Sequence, residues 1–356
     1  METSLFVSKE SAKLHNVAIP EGVDRITLAA QAIHNSEFID DLRIHPVSSA
    51  LPLHIKATHS SAYFSDFESS SFNGKSNVRY SSQSEPAEIR TSALCSTFAA
   101  SQMPGRPIDE LATLRQIRAL AAGDTPIVET TFQAAMLSAG ALISAIDNVL
   151  AGGPSRAFCL TRPPGHHAEW ETAMGFCYFN NVAVAANYLI AEKLASRVAI
   201  VDFDVHHGNG TQHLFYDVDN VLVCNLHRDP TDFYPYFCGF ENETGRGPGE
   251  GYNLNVTLPA GSDEKNYLEA FGNVIERLEN FKPDWILVSA GFDAHKNDPL
   301  GGMKLESSTY FEFAKLLCKV ADEHCGGKLL SVLEGGYNRQ ALGESICEYL
   351  RGLIHC

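Results

Sequence analysis

The chain has 356 residues, 44% hydrophobic and 20% charged, which is the balance of a globular protein that can bury a core without disulfide staples. Its 27 Lys and Arg against 43 Asp and Glu give a formal net charge of −16, arguing against wide, direct binding to nucleic-acid phosphates or an anionic membrane surface. The first residues, METSLFVSKES, carry no basic segment followed by an apolar stretch, and no uninterrupted apolar run reaches the roughly 18 residues that span a bilayer, so a cytoplasmic protein with no membrane partner is expected.

In chain order, the first distinctive segment is 65–86, SDFESSSFNGKSNVRYSSQSEP. It is rich in Ser, Asn and Gly, has no sustained period, and reads as a surface loop or insertion. Residues 107–121 read as a polar-faced helix with Pro107 in its first turn. Residues 131–150 read as a mostly buried, Ala-rich helix closed by Gly152 and Gly153. Five apolar runs follow, each ending in Gly, Asp, His or Pro: 157–167, 198–208, 221–229, 284–294 and 328–337. Continuous Val/Ile/Leu-rich runs of this length suit strands of a parallel sheet buried on both faces. Helical periodicity lies between them, at 181–195, 309–323 and 263–278. In the last, Tyr267, Leu268, Phe271, Val274, Ile275 and Leu278 form one stripe, with Ser262 as the expected N-cap. Alternating strands and helices predict an α/β fold with a doubly wound parallel sheet, whose functional groups gather at the carboxyl ends of the strands. The 9 cysteines form no CxxC pair, and Cys159, Cys177, Cys224 and Cys318 lie in apolar runs, as buried thiols of a reducing compartment do.

The ends of those runs carry the chemistry. Asp204 and His206 close the second run two residues apart, so on an extended chain they face one way. Asp293 closes the fourth. Two carboxylates and one imidazole leave a coordination position open, which is the pattern of a catalytic rather than a structural zinc site. His166 and His167 follow a Pro-Pro-Gly turn and are candidates for proton transfer near neutral pH. Gly335 and Gly336 precede Tyr337, whose phenol is a candidate donor to a developing oxyanion.

The segments RPPGHHA (162–168), GFCYFNN (175–181), VDFDVHHGNGTQ (201–212), SAGFDAHKNDPLGG (289–302) and LEGGYN (333–338) resemble, in order and spacing, the zinc-dependent histone deacetylase family. The likeness is greatest to the branch of class II enzymes and acetylpolyamine amidohydrolases. Residues 229–261 resemble the bacterial polyamine enzymes in particular. The resemblance implies a single arginase-like domain over 1–356 with about eight parallel strands. It implies that Asp204, His206 and Asp293 hold one catalytic Zn²⁺, that His166 and His167 are the acid/base pair, and that Tyr337 is the oxyanion donor. Asp202 corresponds to the partner of the first His and Asn209 to that of the second. Phe176, Tyr234 and Gly175 correspond to the substrate tunnel, with Asp124 and Leu300 at its rim. A structural K⁺ is implied at Asp202, Asp204, His206, Asn225 and Leu226, and a second cation at Phe215, Val218, Val221 and Tyr252.

Gly22 stands where the family usually carries an Arg at the tunnel foot, a departure that bears on product release and acetate handling and not on the zinc chemistry. Glu85, Glu241 and Glu243 are possible further rim acids, although solvated loop charges are the commoner reading. The substrates implied are an acetylated lysine side chain or, as the runner-up, an acetylpolyamine. The Ser-rich segment is a possible homodimer element. An inactive binding module and a two-metal ureohydrolase are the competing readings. The first would lack ligands or the Tyr, and the second would need more Asp and His than these loops hold.

Overall fold

The computed structural model describes residues 2–8, 10, 13–17, 19–72 and 124–356. The predicted helix at 107–121, Glu85, and residues 73–86 of the Ser-rich segment lie outside them.

The described residues form one eight-stranded sheet in the order β2-β1-β3-β8-β7-β4-β5-β6. The strands are β1 (Thr3–Val7), β2 (Leu42–His45), β3 (Arg156–Leu160), β4 (Val198–Asp202), β5 (Val221–Arg228), β6 (Asn253–Leu258), β7 (Trp285–Ala290) and β8 (Leu329–Leu333). Every pairing is parallel. The five predicted runs are β3, β4, β5, β7 and β8, and each is buried along nearly its whole length. Alternation sorts their side chains onto two cores. Phe158, Leu160, Val201 and Val288 face the helices Asp24–His34, Glu264–Phe281, Ser307–Cys325 and Arg339–Ile354. Ala157, Cys159, Ile200 and Leu287 face the helices Thr131–Leu150 and Asn181–Ala191. Both faces covered is what a parallel sheet requires, because each crossover lays a helix on it.

Two expectations change. Residues 61–72 are helix, so the first third of the Ser-rich segment is not loop: Phe64 and Phe67 bury their rings against Phe132 and Phe179. The helix Glu264–Phe281 is capped one residue later than expected, by Asp263, whose carboxylate accepts from the amide of Asn266 while Ser262 bonds Pro259 instead. The helix Thr131–Leu150 matches its expected bounds and is, among the described residues, the one helix long and apolar enough to cross a membrane, but 67% of its apolar window is buried inside the fold. The described cysteines are all free thiols.

Candidate active site

The carboxyl ends of β3, β4, β5, β7 and β8 converge. Asp202 is the last residue of β4, and Asp204 and His206 lie in the turn after it. Asp293 follows β7 and Tyr337 follows β8. The ligand atoms of Asp204, His206 and Asp293 all lie within 4.8 Å of one another. Backbone amides aim the two carboxylates. Gly335 N donates to Asp204 Oδ2 at 2.7 Å, and Val205 N donates to Asp293 Oδ1 at 2.9 Å. The other oxygens, Asp204 Oδ1 and Asp293 Oδ2, each lie 3.1 Å from His206 Nδ1. Gly335 permits this cradle: a Cβ there would fall 2.2 Å from Asp293 Oδ2 and 2.5 Å from Asp204 Oδ2. Burial and the neighbouring Asp204 push Asp293 up to about 7, the crowding of like charge that a divalent cation relieves. One imidazole nitrogen and two carboxylate oxygens on rigid strand ends fit a zinc site with an open position.

His166, Cys177 and Glu334 also converge within 4.8 Å, but burial holds the Cys177 thiol protonated and Glu334 is otherwise engaged. Its carboxylate accepts from Gly165 N at 2.6 Å, His166 N at 3.2 Å and the Ser289 hydroxyl at 3.0 Å.

The tandem histidines differ in their surroundings. Burial opposes a charge on His166, yet Asp202, 2.9 Å from its Nδ1, and Asp204 together raise it to about 10. Burial, then the charges of His166 and His206, drive His167 well below the usual range. His167 Nδ1 lies 2.7 Å from Asn209 Oδ1, a neutral partner. Asn209 Nδ2 in turn donates to Glu169 Oε1 at 3.0 Å.

Aromatic rings stand beside His167 and Tyr337. The Phe176 ring centroid is 6.0 Å from that of Tyr337, and the Tyr234 ring meets His167 edge-on at 5.0 Å. Gly175 adopts φ +57 and touches His167 so closely that a Cβ would fall 2.3 Å from its ring. Asp124 Oδ1 accepts from Gly175 N at 3.2 Å, and Leu300 is 36% exposed. Of the acids offered for the rim, Glu243 is buried and accepts from Gln212 Nε2 and Gly239 N, while Glu241 accepts from Thr257; neither is free. For the expected cation sites, Asn225 and Leu226 lie on β5, where Asn225 accepts from Gly208 N. Phe215 and Val218 precede β5, Val221 opens it, and the Tyr252 carbonyl accepts from Val223 N.

Two buried arginines meet at Glu21, beside Gly22. Arg25 and Arg162 are fully buried and share the Glu21 carboxylate. Arg25 donates to the carbonyls of Glu334 and Gly336 and lies 5.0 Å from the Tyr337 ring centroid. Arg162 opens the segment RPPGHHA, but one sequence does not show that it meets Arg25. Three further residues escaped the sequence reading. Phe233 stacks on His206 at 4.7 Å, and the Arg228 guanidinium lies over the same ring, 4.2 Å from its centroid. Asp298 accepts from Tyr337 N at 2.6 Å and Leu300 N at 2.9 Å, fixing the loop that carries the phenol. Glu169 is the third, two residues past the tandem histidines.

The histone deacetylase domain model matches residues 19–353. The chain belongs to the histone deacetylase family. Relatives in this family include the rice protein Histone deacetylase 10, chloroplastic (Oryza sativa subsp. japonica), 44% identical over 238 residues, 65% of this chain and 53% of the relative. The Histone deacetylase-like amidohydrolase of Pseudomonas aeruginosa is 42% identical over 65% of this chain and 61% of its own. Acetylpolyamine amidohydrolase 2 of the same organism is 40% identical over 64% of each. The matched region thus spans less than two thirds of these relatives. The crystal structure of the HDA15 HD domain superposes with a TM-score of 0.80 at 30% identity, covering 99% of this chain and 88% of that one. The sheet and its order are therefore those of the arginase-like deacetylase fold.

Proposed function

We propose that this protein is a zinc-dependent amidohydrolase that removes the acetyl group from acetylated lysine side chains of proteins or peptides. The observation that carries the reading is the meeting of Asp204, His206 and Asp293 with His166, His167 and Tyr337 at neighbouring strand ends. Asp204, His206 and Asp293 would hold the ion, which when bound supplies Lewis-acid polarisation of the acetyl carbonyl and a more acidic water. The chain's own groups do the rest. The neutral His167 takes a proton from water at Nε2 and later returns it to the leaving amine. His166, charged against Asp202, lends positive charge beside the reacting carbonyl. The Tyr337 hydroxyl donates to the carbonyl oxygen as it becomes anionic. Phe176 and Tyr234 admit a linear chain and keep bulk water out. Buried carbonyls around Asp202, Asp204, His206, Asn225 and Leu226 are the proposed seat of a structural K⁺.

Acetyl-lysine is favoured over acetylpolyamine because, among the described residues, the candidate rim positions offer the carboxylate of Asp124 and an apolar Leu300, which is poor provision for a polycation. The competing polyamine reading draws on the net charge of −16 and on the 40% identity to Acetylpolyamine amidohydrolase 2. The deciding experiment is kcat/KM for an acetyl-lysine peptide and for acetylspermidine at matched ionic strength, with zinc counted in the purified protein. A tenfold preference for the polyamine, about 1.4 kcal/mol of transition-state binding, overturns the lysine reading. Full activity without metal overturns the zinc reading.

A further inference from the structure

We propose that Glu169 is a positioning residue for His167, acting through the side-chain amide of Asn209. The inference rests on the amidohydrolase reading, in which His167 Nε2 takes the proton. His166 has a carboxylate directly behind it, Asp202 at 2.9 Å. His167 has an amide there instead, and an amide has two ends. If its oxygen faces Nδ1, that nitrogen carries the hydrogen and Nε2 keeps its lone pair. If its nitrogen faces Nδ1, the hydrogen sits on Nε2 and the base is lost.

The structure holds the first orientation by a chain of groups that can act in one direction only. The Glu169 carboxylate, 4% exposed, accepts from Asn209 Nδ2 at 3.0 Å. Its second oxygen lies 3.2 Å from His213 Nδ1. A carboxylate accepts and does not donate, so Asn209 must turn its nitrogen to Glu169 and its oxygen to His167, 2.7 Å away. The other acceptors within reach of Asn209 Nδ2 are the His167 carbonyl at 3.4 Å and the Met174 thioether at 3.3 Å. Both are weaker than a charged oxygen at 3.0 Å. Glu169 is itself fixed. Its backbone N donates to Thr172 O at 3.0 Å, and its carbonyl lies 2.9 Å from His59 Nδ1.

The test compares Glu169→Ala, Glu169→Gln, Asn209→Asp and Asn209→Asp/Glu169→Gln, each loaded with zinc, for kcat and KM on an acetyl-lysine reporter peptide. Long-range ¹H–¹⁵N spectra read the His167 tautomer independently of turnover. Glu169→Ala is expected to lower kcat by about 10–100-fold, as for loss of an outer partner of a site histidine, with KM little changed and Nε2–H appearing on His167. Glu169→Gln keeps an acceptor for Asn209 and stays within a few-fold of the parent. Asn209→Asp sets two carboxylates face to face and is impaired. Adding Glu169→Gln restores activity, because the new amide donates to Asp at 209. Parental kcat and an unchanged tautomer in Glu169→Ala overturn the proposal, as does a double variant no better than Asn209→Asp. The second comparison stands even if Glu169→Ala fails to fold. A parent that turns over no acetylated amide refutes the amidohydrolase reading instead, while the tautomer comparison still judges Glu169.

Discussion

Replacing Gly335 by Ala adds one methyl group at the point where the two proposed zinc carboxylates meet. The new Cβ would stand 2.2 Å from Asp293 Oδ2 and 2.5 Å from Asp204 Oδ2. Gly335 has no positive φ, so the backbone accepts Ala and the whole penalty is steric. Neither carboxylate can swing freely, since each has its other contacts set by a backbone amide or by His206. Ordinary contact requires a carboxylate to retreat by about 1 Å, and a misplacement of that size in a catalytic site costs about 100-fold. Overpacking a core costs about 1–3 kcal/mol, so the variant should fold. The expectation is therefore a selective defect: kcat/KM down by about 100-fold, zinc held more weakly against a competing chelator, and a modest fall in melting temperature. Gly272→Ala is the control. It lies mid-helix with nothing within 4 Å of its would-be Cβ, and should gain about 0.5–1 kcal/mol with unchanged turnover. Gly335→Ala with parental zinc affinity and kcat/KM within threefold would refute the argument from the cradle.

Tyr337→Phe should lower kcat by about 10²–10³ while zinc content holds, the size of one lost oxyanion donor; activity within a few-fold of the parent removes the phenol from the mechanism. Tyr234→Phe should raise stability by about 1 kcal/mol, because the Tyr234 hydroxyl is buried without a hydrogen-bond partner among the described residues; a lower melting temperature would mean that the hydroxyl is satisfied. His59 is buried, its Nε2 accepting from Asn180 N at 2.9 Å, and burial lowers it to about 4 against 6.5 unfolded. A lowered imidazole is protonated first in the unfolded chain, so this contribution is complete above pH 6.5 and lost as pH falls towards 4. Urea midpoints followed over that window should therefore decline, and His59→Gln should flatten the decline by up to about 1.4 kcal/mol per pH unit, one proton's worth. An identical slope in the variant would mean that His59 titrates normally.

The central strands were legible because burial on both faces writes them as unbroken apolar runs. The outer ones were not. β2 exposes Arg43 and Ile44 at the sheet edge, and β6 turns Asn253 and Asn255 inward to bond Gln212. Composition misled at 65–72, where abundant Ser hid the helical spacing of Phe64 and Phe67. The dense motifs announced Asp204, His206, Asp293, the tandem histidines and Tyr337, because each lies at a strand end beside glycine or another polar group. Arg25, Phe233, Asp298 and Glu169 act through a partner. Arg25 meets Gly336 across 311 residues, a distance over which spacing in a single sequence carries no signal.

The sheet order has a consequence for how the chain is made. β8 is the last of the eight strands to be synthesised, yet it lies between β3 and β7. Until it emerges, β3 and β7 each present an open edge of unpaired amides and carbonyls, and the nascent sheet exists as two blocks, β2-β1-β3 and β7-β4-β5-β6. His166 and His167 belong to the first block; Asp204, His206 and Asp293 belong to the second. The strand that brings Tyr337 is also the one that zips the blocks together. A ribosome stalled before residue 329 would display the candidate metal-ligand cluster and the histidine pair with no sheet joining them, and a folding intermediate in need of shielding from its neighbours on the polysome.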